Sequence, residues 1–211
     1  MKIEISLKII LLIILFLFLN KIDTYVIFIV FIFIHELFHM ITGIVVGFVP
    51  KTMRLTPFGV SIEFYSYSKR GIKESIKKII TYLSGPLVNF LIAIIFYNIN
   101  IDMSLKIKLV YTNILIGVFN LIPIVPLDGG KIVKEILKNI VGNKKANVYM
   151  IKSTKVILII LSLIYSVLIL EIRNIAILII LLYLWYLYYM EEKKLSLMLK
   201  VYDIVEKEKN N

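Results

Sequence analysis

The chain has 211 residues, 60% of them hydrophobic and 18% charged, with a mean hydropathy of +0.91. That is too apolar for a soluble domain and points to a polytopic membrane protein with little soluble mass. It contains no cysteine, which excludes a disulfide framework, a CxxC redox pair, thiolate zinc ligands and a cysteine nucleophile. Any metal must be held by His, Asp or Glu.

Six apolar segments follow one another: about Ile5 to Leu19, Tyr25 to Val49, Ile79 to Tyr97, Leu105 to Val125, Val156 to Leu170 and Ile175 to Tyr189. Each is read as a transmembrane helix, so the expected fold class is an all-α polytopic membrane protein of six spans. The first resembles a signal peptide in length, but Phe16 to Lys21 offers no small-residue cleavage site, and it is read as a retained span.

The net charge of +11 would suggest nucleic acid in a soluble protein, yet its distribution matters more than its total. With a cytoplasmic amino terminus, 21 of the 25 Lys and Arg fall on the cytoplasmic side, and only Lys21, Lys106, Lys108 and Arg173 fall opposite. This satisfies the positive-inside rule, predicts both termini in the cytoplasm and leaves no basic excess for nucleic acid to explain. Tyr183, Trp185, Tyr186, Tyr188 and Tyr189, just before the charged tail, suit an interfacial belt.

Two loops have internal texture. Val60, Ile62 and Phe64 alternate with Ser61, Glu63 and Tyr65, which predicts a small β-hairpin or a re-entrant loop after the second span. Ile132, Val133, Ile136, Leu137 and Ile140 fall at helical spacing, which predicts a short amphipathic helix on the membrane surface. Gly43 and Gly47, one helical turn apart in the second span, would let that span pack closely on a neighbouring helix.

Both histidines of the chain lie in one pentapeptide, His35-Glu36-Leu37-Phe38-His39. Four residues along a helix advance about 6 Å and return to nearly the same face, so both imidazoles can present nitrogen to one metal ion. Glu36 lies one step round, placed to act on an activated water without being a ligand. Three ionisable residues within five positions, deep in an apolar span, each cost about 2.5 to 3.5 kcal/mol on insertion scales and are not filler.

A catalytic zinc takes three protein ligands and keeps one position open. With no third histidine and no cysteine, the third must be a carboxylate. The fourth span ends in Asn120-Leu-Ile-Pro123-Ile-Val-Pro126-Leu127-Asp128-Gly129-Gly130. Its two prolines break the helical ladder, and irregular backbone at membrane depth survives only where it is buried or lines a wet cavity. Asp128 alone would read as a capping or turn residue; beside HExxH it reads as the third ligand.

HELFH in the second span, Ser84-Gly85-Pro86 in the third and NLIPIVPLDGG in the fourth together resemble the site-2 protease family, the intramembrane zinc metalloproteases. The resemblance covers about Tyr25 to Gly130, the family's catalytic core. It implies that His35, His39 and Asp128 bind zinc, that Glu36 is the general base, and that Asn120 orients substrate or stabilises the oxyanion. It also places Ser84, Gly85, Pro86 and Asn89 in a structural motif. Six spans without an inserted PDZ domain resemble the sporulation branch containing the stage IV FB protease, although the CBS domain that many of its members carry is not expected here.

The expectation is therefore one membrane-embedded peptidase domain over residues 1–211. It would hydrolyse a peptide bond in or next to the membrane segment of a membrane-associated protein, a pro-sigma factor in the sporulation reading. Expected partners are that substrate, the lipid bilayer and inhibitory membrane proteins. The rival readings are a catalytically silent membrane binding protein, a transporter, and a housekeeping protease that clears signal-peptide remnants. A transporter would show two related halves, and HELFH and LDGG each occur once.

Overall fold

The computed structural model describes residues 2–5, 22–56, 59–64, 71–172 and 175–210. In chain order these form β1 (Lys2–Ile5), α1 (Ile22–Val45), β2 (Pro50–Thr56), β3 (Gly59–Phe64), α2 (Ile72–Asn98), α3 (Met103–Leu121), α4 (Asp128–Val141), α5 (Asn143–Ile172) and α6 (Ile175–Asn210). The chain is mostly helical, not all-α, because the described strands build a three-stranded sheet of order β1-β2-β3. Four described helices are long and apolar enough to cross a membrane: Ile22–Val45, Ile72–Asn98, Met103–Leu121 and Asn143–Ser166. The expected span from Ile5 to Leu19 lies outside the described residues except for Ile5, which ends β1. The segment from Ile175 to Tyr189 is the first part of α6.

The chain divides into two compact units, Met1–Leu121 and Ile122–Asn211. In the first, α1, α2 and α3 pack on one another around Phe31, Ile32 and Ile116, with Ile92 and Phe96 against them. Phe31 meets Phe96 edge-on, ring centroids 6.0 Å apart. The usual distribution of polarity is inverted. His35, His39, Thr81, Asn89 and Asn113 are buried, while Val30, Ile44, Leu91, Ile94 and Leu115 point outward. Apolar surroundings for the helices and polar groups satisfied inside are what a bilayer demands of a spanning bundle.

The sheet lies in the same unit. β1 runs parallel to β2, with Lys2 opposite Thr52 and Ile5 opposite Leu55. β2 runs antiparallel to β3, with Thr52 opposite Glu63 and Thr56 opposite Gly59, and is irregular between Pro50 and Thr52. Phe64 at the end of β3 explains Gly43, since a Cβ there would run into its ring. Gly47 has φ +97° in the turn that ends α1, a conformation that L side chains avoid. The two glycines thus seat an aromatic ring and stop a helix; they do not form the helix-packing face expected of them.

In the second unit α4 packs on α5 and α5 on α6. α4 covers the stretch whose spacing predicted a short helix. α5 begins at Asn143, well before the expected start of the apolar span at Val156, because its polar opening turns lower hydropathy without stopping a helix. Trp185 Nε1 on α6 donates to Ser162 Oγ on α5 at 3.0 Å.

Candidate metal centre

His35 and His39 sit one turn apart on α1, 2% and 5% exposed. Their Nε2 atoms lie 3.0 Å apart and their rings meet edge to face. The other nitrogen of each ring is held by an oxygen acceptor. His35 Nδ1 donates to Asn89 Oδ1 at 2.5 Å, and His39 Nδ1 donates to the Thr81 carbonyl at 2.6 Å. Asn89 is oriented in turn, because its Nδ2 donates to Asn113 Oδ1 at 3.0 Å. With both Nδ1 atoms protonated, the neutral rings carry lone pairs on both Nε2 atoms, aimed at one point.

Two lone pairs 3.0 Å apart repel unless a cation stands between or beside them. Two nitrogens on a tetrahedral zinc at bond lengths of 2.0–2.1 Å would be about 3.3 Å apart. The donor chemistry therefore fits a divalent metal that takes imidazole, and the Nδ1 partners are the supporting acceptors such ligands need.

α2 supplies further surroundings. Pro86 lies inside α2 and has no N–H to offer the Tyr82 carbonyl, which loosens the turn around it. In that turn the Thr81 carbonyl also accepts from Ser84 Oγ at 2.8 Å. Gly85 faces both histidines: a Cβ there would contact His39 Nε2 and stand 2.6 Å from His35 Nε2. The Ser-Gly-Pro motif thus leaves open the space on which the two nitrogens converge. Glu36 is half-buried on α1, about 100° round the helix from His35 and about 60° from His39.

Asn120 lies on the last turn of α3, where its Nδ2 donates to the Ile116 carbonyl at 3.0 Å. In the second unit, residues 122–127 are non-helical, as the prolines predict, and Val125-Pro126 is a cis peptide. Asp128 opens α4, is 3% exposed, and accepts from Lys131 Nζ at 2.9 Å. Gly130 lets that helix start against the preceding backbone, since a Cβ there would stand 2.7 Å from Val125 N. A small cleft of the same unit is lined by Lys134, Asn147, Glu191 and Lys194 among others, and burial pushes the Lys134 ammonium below its usual pKa.

The profile of Peptidase family M50 matches residues 24–106 and 100–164, a range that holds the histidine pair and the broken segment. The chain belongs to Peptidase family M50. This M50 chain is 32% identical over 120 residues to a zinc metalloprotease of Methanocaldococcus jannaschii, a match covering 54% of the chain and 34% of that relative's length. Its fold matches that of a site-2 protease from the same organism with a TM-score of 0.70 at 24% identity, over 90% of this chain and 89% of the other. Family and fold thus bear out the resemblance to the site-2 proteases, and family membership with several apolar helices makes the chain a multi-pass membrane protein. Asn113 was not singled out by the sequence; one asparagine in an apolar helix carries no spacing signal, and only its contact with Asn89 gives it meaning.

Proposed function

We propose that this M50 chain is a zinc-dependent endopeptidase that cleaves a membrane-associated protein in or beside its membrane segment. The observation that carries the reading is the convergence of two tautomer-fixed Nε2 atoms, 3.0 Å apart, beside a half-buried glutamate. His35 and His39 hold the metal, and Asp128 is the third ligand. Supporting Asp128 are its carboxylate chemistry in a cysteine-free chain, its burial and its place after a non-helical segment.

Zinc in this site supplies Lewis-acid activation of water and of the scissile carbonyl. Glu36 takes the proton of the attacking water and returns it to the leaving amine, so that nitrogen departs neutral. Asn120 steadies the scissile carbonyl through the amide hydrogen that does not face the Ile116 carbonyl. Asn89 and Thr81 keep the imidazoles in the ligating tautomer.

The test is co-expression with membrane-tethered substrates, a pro-sigma factor among them because of the resemblance to the sporulation branch. Purified protein should contain about one zinc per chain, lose cleavage to a chelator and regain it with zinc. Asp128→Ala should lower both metal content and cleavage. Full metal and full turnover in that variant would remove Asp128 from the ligand set, and cleavage indifferent to chelation would remove the metal mechanism. A protein that binds zinc and its partner without cleaving would favour the catalytically silent reading.

Both termini are read as cytoplasmic. The distribution of Lys and Arg supports this, as does β1 lying beside β2, which keeps the amino terminus on the side of the loop after α1. Single cysteines at Ser68 and Asn143 should resist an impermeant thiol reagent in intact cells, whereas one at Asn100 should react. The opposite labelling pattern would invert the topology.

A further inference from the structure

Two fully buried asparagines face each other in the first unit, Asn89 on α2 and Asn113 on α3. Buried amides among apolar helices persist where they are bonded, and these two form a chain whose direction can be read. The Leu109 carbonyl only accepts, so Asn113 turns its Nδ2 to it, at 2.9 Å. That leaves Asn113 Oδ1 toward Asn89, whose Nδ2 donates to it at 3.0 Å. Asn89 Oδ1 is thereby turned to His35 Nδ1. Each amide has one orientation that satisfies its neighbour, so the assignment propagates from a backbone carbonyl on α3 to an imidazole on α1.

We propose that Asn113, which does not contact the metal position, is a positioning residue that fixes the tautomer and ring direction of His35 through Asn89. If Asn113 could not accept, the Asn89 amide could turn, present Nδ2 to His35 and favour the tautomer whose Nε2 carries hydrogen and cannot ligate. The inference rests on the reading of His35 as a zinc ligand, and zinc affinity tests it separately from proteolysis.

The measurement is the apparent zinc Kd of purified full-length protein by chelator competition, together with the ligand-field spectrum of the cobalt-loaded form. Asn113→Leu should weaken zinc by about 10–100-fold, the usual cost of losing a supporting partner of a ligand, and should alter the cobalt spectrum. Asn113→Asp, which still presents an oxygen to Asn89, should stay close to wild type. In an Asn89→Asp background the ionised carboxylate accepts from His35 whichever way it turns, so adding Asn113→Leu should cost nothing further.

An Asn113→Leu protein within twofold of wild type would overturn the proposal. So would an equal loss in the Asn89→Asp background, because that is what a packing defect would give. Should Asn113→Leu fail to elute as a folded species, Asn113→Ser, too short to reach Asn89, carries the same comparison with the same two outcomes. Wild-type protein that binds no zinc would instead overturn the ligand reading itself.

Discussion

Replacing Glu36 by Gln is expected to abolish detectable cleavage while leaving about one zinc per chain. The substitution keeps the size and polarity of the side chain and removes only its capacity to take a proton. Glu36 points from α1 about 60° beyond His39 on the side away from His35, and the two histidines supply the converging nitrogens by themselves. A general base contributes about 10²–10⁴-fold, and a loss of that size is expected to take cleavage below detection. His35→Ala and His39→Ala should differ from Glu36→Gln in one respect: both should lose metal as well as activity. Paired zinc and turnover measurements on the three variants therefore assign roles. Cleavage by Glu36→Gln at more than about a tenth of the wild-type rate would identify another base.

Why this centre was legible in the sequence, and where legibility stopped, follows from the range of the interactions. HELFH lies within one helical turn, so its geometry follows from helix periodicity alone, and the structure places its two Nε2 atoms together as that periodicity requires. Pro123 and Pro126 act locally too, and the backbone is non-helical where they stand. The acceptors behind the histidines are another matter. Asn89 and Thr81 are 54 and 42 residues from the rings they hold, and only the packing of α1 on α2 selects them. β1 is not legible, because four residues are too few to show a period and its partner β2 lies some fifty residues on. Gly43 and Gly47 showed helical spacing, but one answers to Phe64 and the other to a positive φ. Spacing alone does not separate a packing face from a helix end.

Gly85→Ala is expected to be as damaging as loss of a ligand, although it adds one methyl group and removes no donor. An alanine Cβ at this position would contact His39 Nε2 and lie 2.6 Å from His35 Nε2, in the space where both lone pairs meet. Neither ring can easily retreat. Each is anchored at Nδ1 by an acceptor on α2, the helix that carries Gly85, so moving an imidazole away from the methyl group also breaks its buried hydrogen bond. The variant should bind zinc at least about 100-fold more weakly, the upper end for residues that support ligands, and lose proteolysis in proportion. Gly117→Ala is the control, since its Cβ would press at 2.9 Å on the Phe90 ring, a side-chain contact in the same three-helix bundle that touches neither histidine. That variant should keep its zinc. If Gly85→Ala instead retained one zinc per chain and wild-type turnover, the metal could not occupy the point where the two Nε2 atoms converge. The site would then have to be rebuilt around different atoms of His35 and His39.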